Sequence, residues 1–130
     1  MTLGELLEEL KKAASEVDPK KTNVYFDFGW TFPSVEHGLD SWRGKYDEVA
    51  IEWTCTDIEP DARPPTLEQL INAVSNAIGA TMTGYKGGEF TMTKHTPVWV
   101  DRWGDGAETA LVGVKNLRWK IVLETRFIEL

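Results

Sequence analysis

Cysteine is nearly absent from this 130-residue chain. Cys55 stands alone, so no internal disulfide is available. Histidine is almost as scarce, with only His37 and His95, far apart in sequence. No CxxC or HExxH spacing occurs, so neither a zinc cage nor a metalloprotease helix is encoded. GxSxG, GxxxxGKS and GxGxxG are also missing, which removes the common serine-hydrolase elbow and the common phosphate-binding loops. No apolar run approaches the roughly 20 residues of a membrane helix. Positive charge is in short supply as well: 14 Lys and Arg face 21 Asp and Glu, a net charge of -7. That balance argues against general nucleic-acid binding, which depends on a basic surface. It fits a soluble protein or one that meets a basic partner.

What is present is hydrophobic patterning and tryptophan. Residues 2–15 read as an amphipathic helix, with Leu3, Leu6, Leu7 and Leu10 on one face and a Thr2/Glu5 capping box. The stretch reads as helix rather than as a secretory leader, because its leucines are periodic and not contiguous. Residues 66–79 repeat the design, with Thr66/Gln69 as the box and Leu67, Leu70, Ile71, Val74 and Ile78 as the stripe. Gly79 supplies the stop. Strands are expected at 23–32 and 47–56, from the alternation of Val24, Phe26, Phe28 and Trp30 and of Val49, Ile51, Trp53 and Cys55. A hairpin is expected at 81–94 around Gly87-Gly88, a short extended piece at 96–100, and a strand pair at 108–115 and 118–128. Helices and strands do not alternate regularly, so the expected fold is α+β with an antiparallel sheet and two helices. One domain spans 1–130, with helix 2–15 as an appendage to a 23–128 core. Trp30, Trp53 and Trp119 are expected in that core.

Cys55 shares a face with Val49, Ile51 and Trp53, so it reads as a small buried hydrophobe and not as a nucleophile. No catalytic residue, metal ligand or cofactor is nominated. Three glycine-rich loops do concentrate cations and rings. Trp42, Arg43, Lys45 and Tyr46 surround Gly44; Tyr85 and Lys86 precede Gly87-Gly88; Trp99, Arg102 and Trp103 lie beside Gly104. Guanidinium and ammonium groups hold anions, and flat rings stack on bases. These loops are either ordinary turns or the wall of a pocket for an anionic, nucleotide-like ligand.

The ordered set Phe26-Asp27-Phe28-Gly29, Ser41-Trp42-Arg43-Gly44-Lys45-Tyr46, Gly84-Tyr85-Lys86-Gly87-Gly88-Glu89-Phe90 and Thr96-Pro97-Val98-Trp99-Val100 resembles a family of small uncharacterised tailed-phage and prophage proteins. The resemblance covers about residues 24–115. It is similar to phage accessory, anti-defence proteins, and so implies a small cytoplasmic, non-enzymatic protein. Such a protein blocks a host defence factor by occupying a protein surface or by sequestering a nucleotide-like ligand. Homo-oligomerisation is compatible with the many aromatics. Two alternatives stand beside this reading. One is a small enzyme on a phosphorylated or nucleotide substrate, using loop acids such as Asp40, Asp101 or Asp105. The other is a virion or assembly component that pairs through a sheet edge.

Overall fold

In the computed structural model, residues 1–35, 39–41, 48–83, 87–101 and 107–129 are described. The first helix, α1 (Leu3–Ala14), is set by its N-terminal box. Thr2 N–H donates to Glu5 Oε1 (2.9 Å), and Glu5 N–H donates to Thr2 Oγ1 (3.2 Å). These two bonds satisfy amides that no helical carbonyl can reach. Leu3, Leu6, Leu10 and Ala13 form its buried stripe. The second helix, α2 (Leu67–Ala77), starts on the Thr66/Gln69 box and buries Leu67, Leu70, Val74 and Ala77. Gly79, just beyond it, has φ +90°, the left-handed stop its position anticipates.

The contact with the Thr2 N–H and hydroxyl holds the Glu5 carboxyl below its usual range, since both favour the charged form. A depressed folded-state pKa adds stability that is present above the unfolded pKa and is lost as pH falls through the folded one. Helix content followed by circular dichroism should therefore drop on acidification through the Glu5 titration. Glu5→Gln should flatten that component. An unchanged acid profile in the Gln variant would mean that the box contributes nothing measurable.

Nine strands occur among the described residues: β1 (Asn23–Phe26), β2 (Phe32–Pro33), β3 (Leu39–Ser41), β4 (Val49–Thr54), β5 (Thr81–Thr83), β6 (Glu89–Thr91), β7 (Val98–Asp101), β8 (Ala107–Asn116) and β9 (Lys120–Glu129). β5 and β6 form a separate hairpin, as Gly87-Gly88 anticipates. The others make one sheet in the order β1-β9-β8-β7-β4-β2, with β3 also on β4. The sheet curls until its ends nearly meet. Phe26 N–H donates to the Thr31 carbonyl (3.0 Å), and the Tyr25 and Phe32 rings meet edge to face. The fold is α+β, mainly β, and barrel-like.

The sheet is mixed and not antiparallel throughout. β1 pairs parallel with β9, and β4 parallel with β7. The second pairing needs a long crossover, and the segment holding α2 and the β5–β6 hairpin supplies it. As a result β1, β4, β7 and β9 all run the same way. Both helices sit where those strands begin. Leu3 N–H donates to the Thr96 carbonyl (2.9 Å) before β7, and Leu67 N–H to the Thr22 carbonyl (2.8 Å) before β1. The core cluster lies between helices and sheet, where both helix stripes meet Val24, Phe26, Val49, Ile51, Val98, Val100, Leu111, Ile121 and Leu123.

Three sequence expectations are corrected. The strand expected over 23–32 ends at Phe26, because the chain turns at 27–30 through Gly29 (φ +56°). Trp30 therefore projects from a turn and is 83% exposed. Trp119 is 73% exposed, because it lies in the 117–119 turn ahead of β9, next to Arg118 at φ +72°. Val112 and Phe127 are also exposed. A register shift between Leu111 and Gly113 makes Val112 the extra residue on β8, so Val114 joins Leu111 on the inner face while Val112 is left outward. No helix among the described residues is long and apolar enough to cross a membrane.

Candidate functional site

Shared strand direction sorts the connections into two groups. The end where β1, β4, β7 and β9 start is filled by the helices. The end where they finish carries the 27–31 turn, the residues after Thr54, and the C-terminus of β9. We call it the far end. Trp30, Ile58, Phe127 and Ile128 are all exposed large hydrophobics, and all four belong to it. Ile58 is held close to β4 by its N–H bond to the Cys55 carbonyl (3.1 Å). The turn before Trp30 is anchored by Asp27: Thr125 N–H and Oγ1 donate to its two carboxylate oxygens at 2.9 and 2.5 Å.

Beneath this rim is an aromatic layer. Phe26 and Phe28 stack at 5.2 Å between centroids, and Phe28 meets Trp53 edge to face at 6.2 Å. Ladder register puts Ile51, Val100, Thr109 and Phe127 in one row on the inner face. Thr109 is 2% exposed, and its Oγ1 has no hydrogen-bond partner. The Trp53 Nε1, on the same face, is buried and also has none. Leaving buried polar atoms unpaired costs free energy, so native folds seldom keep them without a reason.

Of the nominated residues, Trp42, Arg43, Lys45, Tyr46, Tyr85, Lys86 and Arg102 lie outside the described residues, as does Trp103. Trp99 is described. It sits within β7, half-buried on the outer face between Ala50 and Ala110, and its Nε1 donates to Glu48 Oε2 (3.0 Å). The described flanks of two loops also speak to geometry. Val49 pairs with Val98 and Glu52 with Asp101, so the segment entering β4 and the segment leaving β7 attach at opposite ends of one parallel pair.

Two of the hollows lined by described residues adjoin the sheet. One of about 380 Å³ lies by Phe90, Thr93, His95 and Pro97, where His95 is exposed and its N–H donates to Thr93 Oγ1 (3.2 Å). The other, of about 520 Å³, lies between β2–β4 and the proline-rich 59–65 segment. Cys55 is a free, buried thiol, and no cluster of His, Cys, Asp or Glu among the described residues could hold a metal ion. The far-end rim was not legible locally, because its members come from three separate segments. A signal did exist, in that Trp30 follows a glycine and Ile58 lies in a polar connector, both poor places for core residues. No family model, curated protein or solved structure matches this chain.

Proposed function

We propose that this chain is a phage-type, non-enzymatic binding protein that inhibits a host anti-phage defence factor by occupying a surface of that factor. The observation that carries the reading is the gathering of Trp30, Ile58, Phe127 and Ile128 at the far end of the barrel. Large apolar groups left exposed at one end of a fold mark interaction surfaces, and tryptophan is among the residues enriched at their energetic centres. The net charge of -7 favours a basic partner through long-range attraction. The phage resemblance of the loop motifs supplies the biological setting.

The test is phage plating on cells that carry a panel of defence systems, with and without the protein. Wild type should restore plating against at least one system. Trp30→Ala with Ile58→Ser should abolish that restoration while leaving the thermal melt unchanged, since both side chains are solvent-exposed. Equal plating with and without wild type across the panel would sink the reading, as would full activity in the double variant.

A second reading is sequestration of a nucleotide-like ligand at the same end. It is favoured by the unpartnered Trp53 Nε1 and Thr109 Oγ1 beneath the rim, because barrel mouths with a few inward polar groups commonly hold small molecules. Mass spectrometry of the denatured, purified protein should then release an intact small molecule.

A further inference from the structure

The larger hollow has a chemistry of its own. Thr54, Glu59, Pro60, Asp61, Arg63 and Gln69 are among the residues that line it. Apart from the Arg63 guanidinium, its walls are weighted toward acceptors. Prolines 33, 60, 64 and 65 all contribute, and none has an N–H; the Pro65 carbonyl already accepts from Val24 N–H (2.9 Å) and that of Pro60 from Arg63 Nη1 (3.5 Å). Glu59 and Asp61 add carboxylates. Three backbone donors nearby are already committed: Ser34 N–H to the Glu52 carbonyl (2.8 Å), Glu59 N–H to that of Cys55 (2.9 Å), and Ala62 N–H to that of Glu59 (2.9 Å). The Gln69 Oε1 is used by the Thr66 N–H of the α2 cap. Thr54 is 7% exposed, and its Oγ1 has no partner, so a further hydrogen-bonding capacity stands unused in the wall.

A site of this kind selects a ligand that only donates and carries positive charge. Guanidinium fits best. It has five N–H groups and no acceptor, and it is weakly hydrated, so it tolerates the apolar faces of the proline rings. The chain itself gives an example on this wall. Arg63 Nη1 donates to the Ala62 carbonyl (2.9 Å) and, at 3.5 Å, to that of Pro60. We infer that this cleft binds a guanidinium group, supplied by an arginine side chain of the partner protein. The arginine's being on that partner rests on the proposed function; recognition of guanidinium by the cleft does not. The cleft lies beside β4 where it reaches the far end, so one partner surface can cover both.

The test is an NMR titration of the full chain with N-acetyl-arginine amide at low salt. N-acetyl-citrulline amide, a neutral near-isostere, serves as the control. Saturable shifts are expected at the amides of residues 34, 54, 59, 61 and 62 with the arginine probe and not with citrulline. Glu59→Gln with Asp61→Asn should weaken binding at least about tenfold, because charge-assisted bonds become neutral ones. Thr54→Val, close to isosteric and free of the unpartnered hydroxyl, should fold normally and bind several-fold more weakly. Arg63→Ala should tighten binding, since it removes a like charge that competes for the same acceptors. Equal response to citrulline, no saturable response, or weaker binding in Arg63→Ala would each overturn the assignment. None of these readouts depends on phage plating, so failure here and failure of the proposed function are distinguishable.

Discussion

Leu6→Ala is expected to destabilise the protein by about 4–5 kcal/mol, near the top of the range for buried leucines. Leu6 is fully buried on the α1 stripe, where α1 meets α2 and the inner face of the sheet. The cost of such a truncation depends on whether the surroundings can close over the lost atoms. Here they are pinned. Leu3 N–H and Gly4 N–H are bonded to the carbonyls of Thr96 and Lys94 at 2.9 and 2.8 Å, and Val98 N–H is bonded to the Met1 carbonyl at 3.0 Å. Beyond the helix, Asn116 Nδ2 donates to Glu16 Oε2 at 2.9 Å. With α1 tied at both ends, a cavity remains. Small domains are stable by roughly 5–15 kcal/mol, so the variant should be close to unfolding at ordinary temperature. Urea titration reads this as a lower midpoint at constant slope. A loss under about 2 kcal/mol would show that α1 slides to fill the gap and that its end contacts are weak.

Sequence was most informative where the controlling interactions are local. The two capping boxes, the apolar stripes of Leu3/Leu6/Leu10 and Leu67/Leu70/Val74, and the Gly87 hairpin all follow from signals in which each residue lies within four positions of the next. It was least informative where distant segments decide. Nothing near Asn23 says that β1 pairs parallel with β9, because that partner lies at the other end of the chain, on a strand whose second edge pairs with β8. The alternation Val24, Phe26, Phe28, Trp30 looks like one long strand, yet Gly29 at φ +56° turns the chain and Thr125 captures Asp27 from outside the segment. Local pattern cannot report either event. The register shift at Val112 is of the same kind, because one extra residue reverses which neighbours face inward. Candidate-site reading met a similar limit. Trp99, expected in the extended piece 96–100 beside the Gly104 loop, stands in β7 with its Nε1 on Glu48. The far-end rim joins residues from three segments that only the barrel brings together.

Trp53 and Trp30 make the sharpest contrast between pattern and packing. Their sequence periodicity gives them equal standing as core residues, and the structure separates them. Trp53 packs against the core cluster and completes the Phe26–Phe28–Trp53 aromatic layer, which joins the 26–28 segment to β4 where the sheet nearly closes. Trp53→Ala removes a large ring and its edge-to-face contact together, so a loss of about 3 kcal/mol is expected. Trp30→Ala should stay within about 0.5 kcal/mol, as for exposed positions generally. Trp53→Phe separates ring from N–H. It keeps an aromatic edge for Phe28 and deletes an Nε1 that is buried without a partner, so its cost should fall well below that of the alanine variant. Urea midpoints of the three variants give the comparison directly. A Trp30→Ala loss as large as that of Trp53→Ala would mean that the 27–30 turn folds back onto the sheet, and the rim at the far end would then lose its exposed tryptophan.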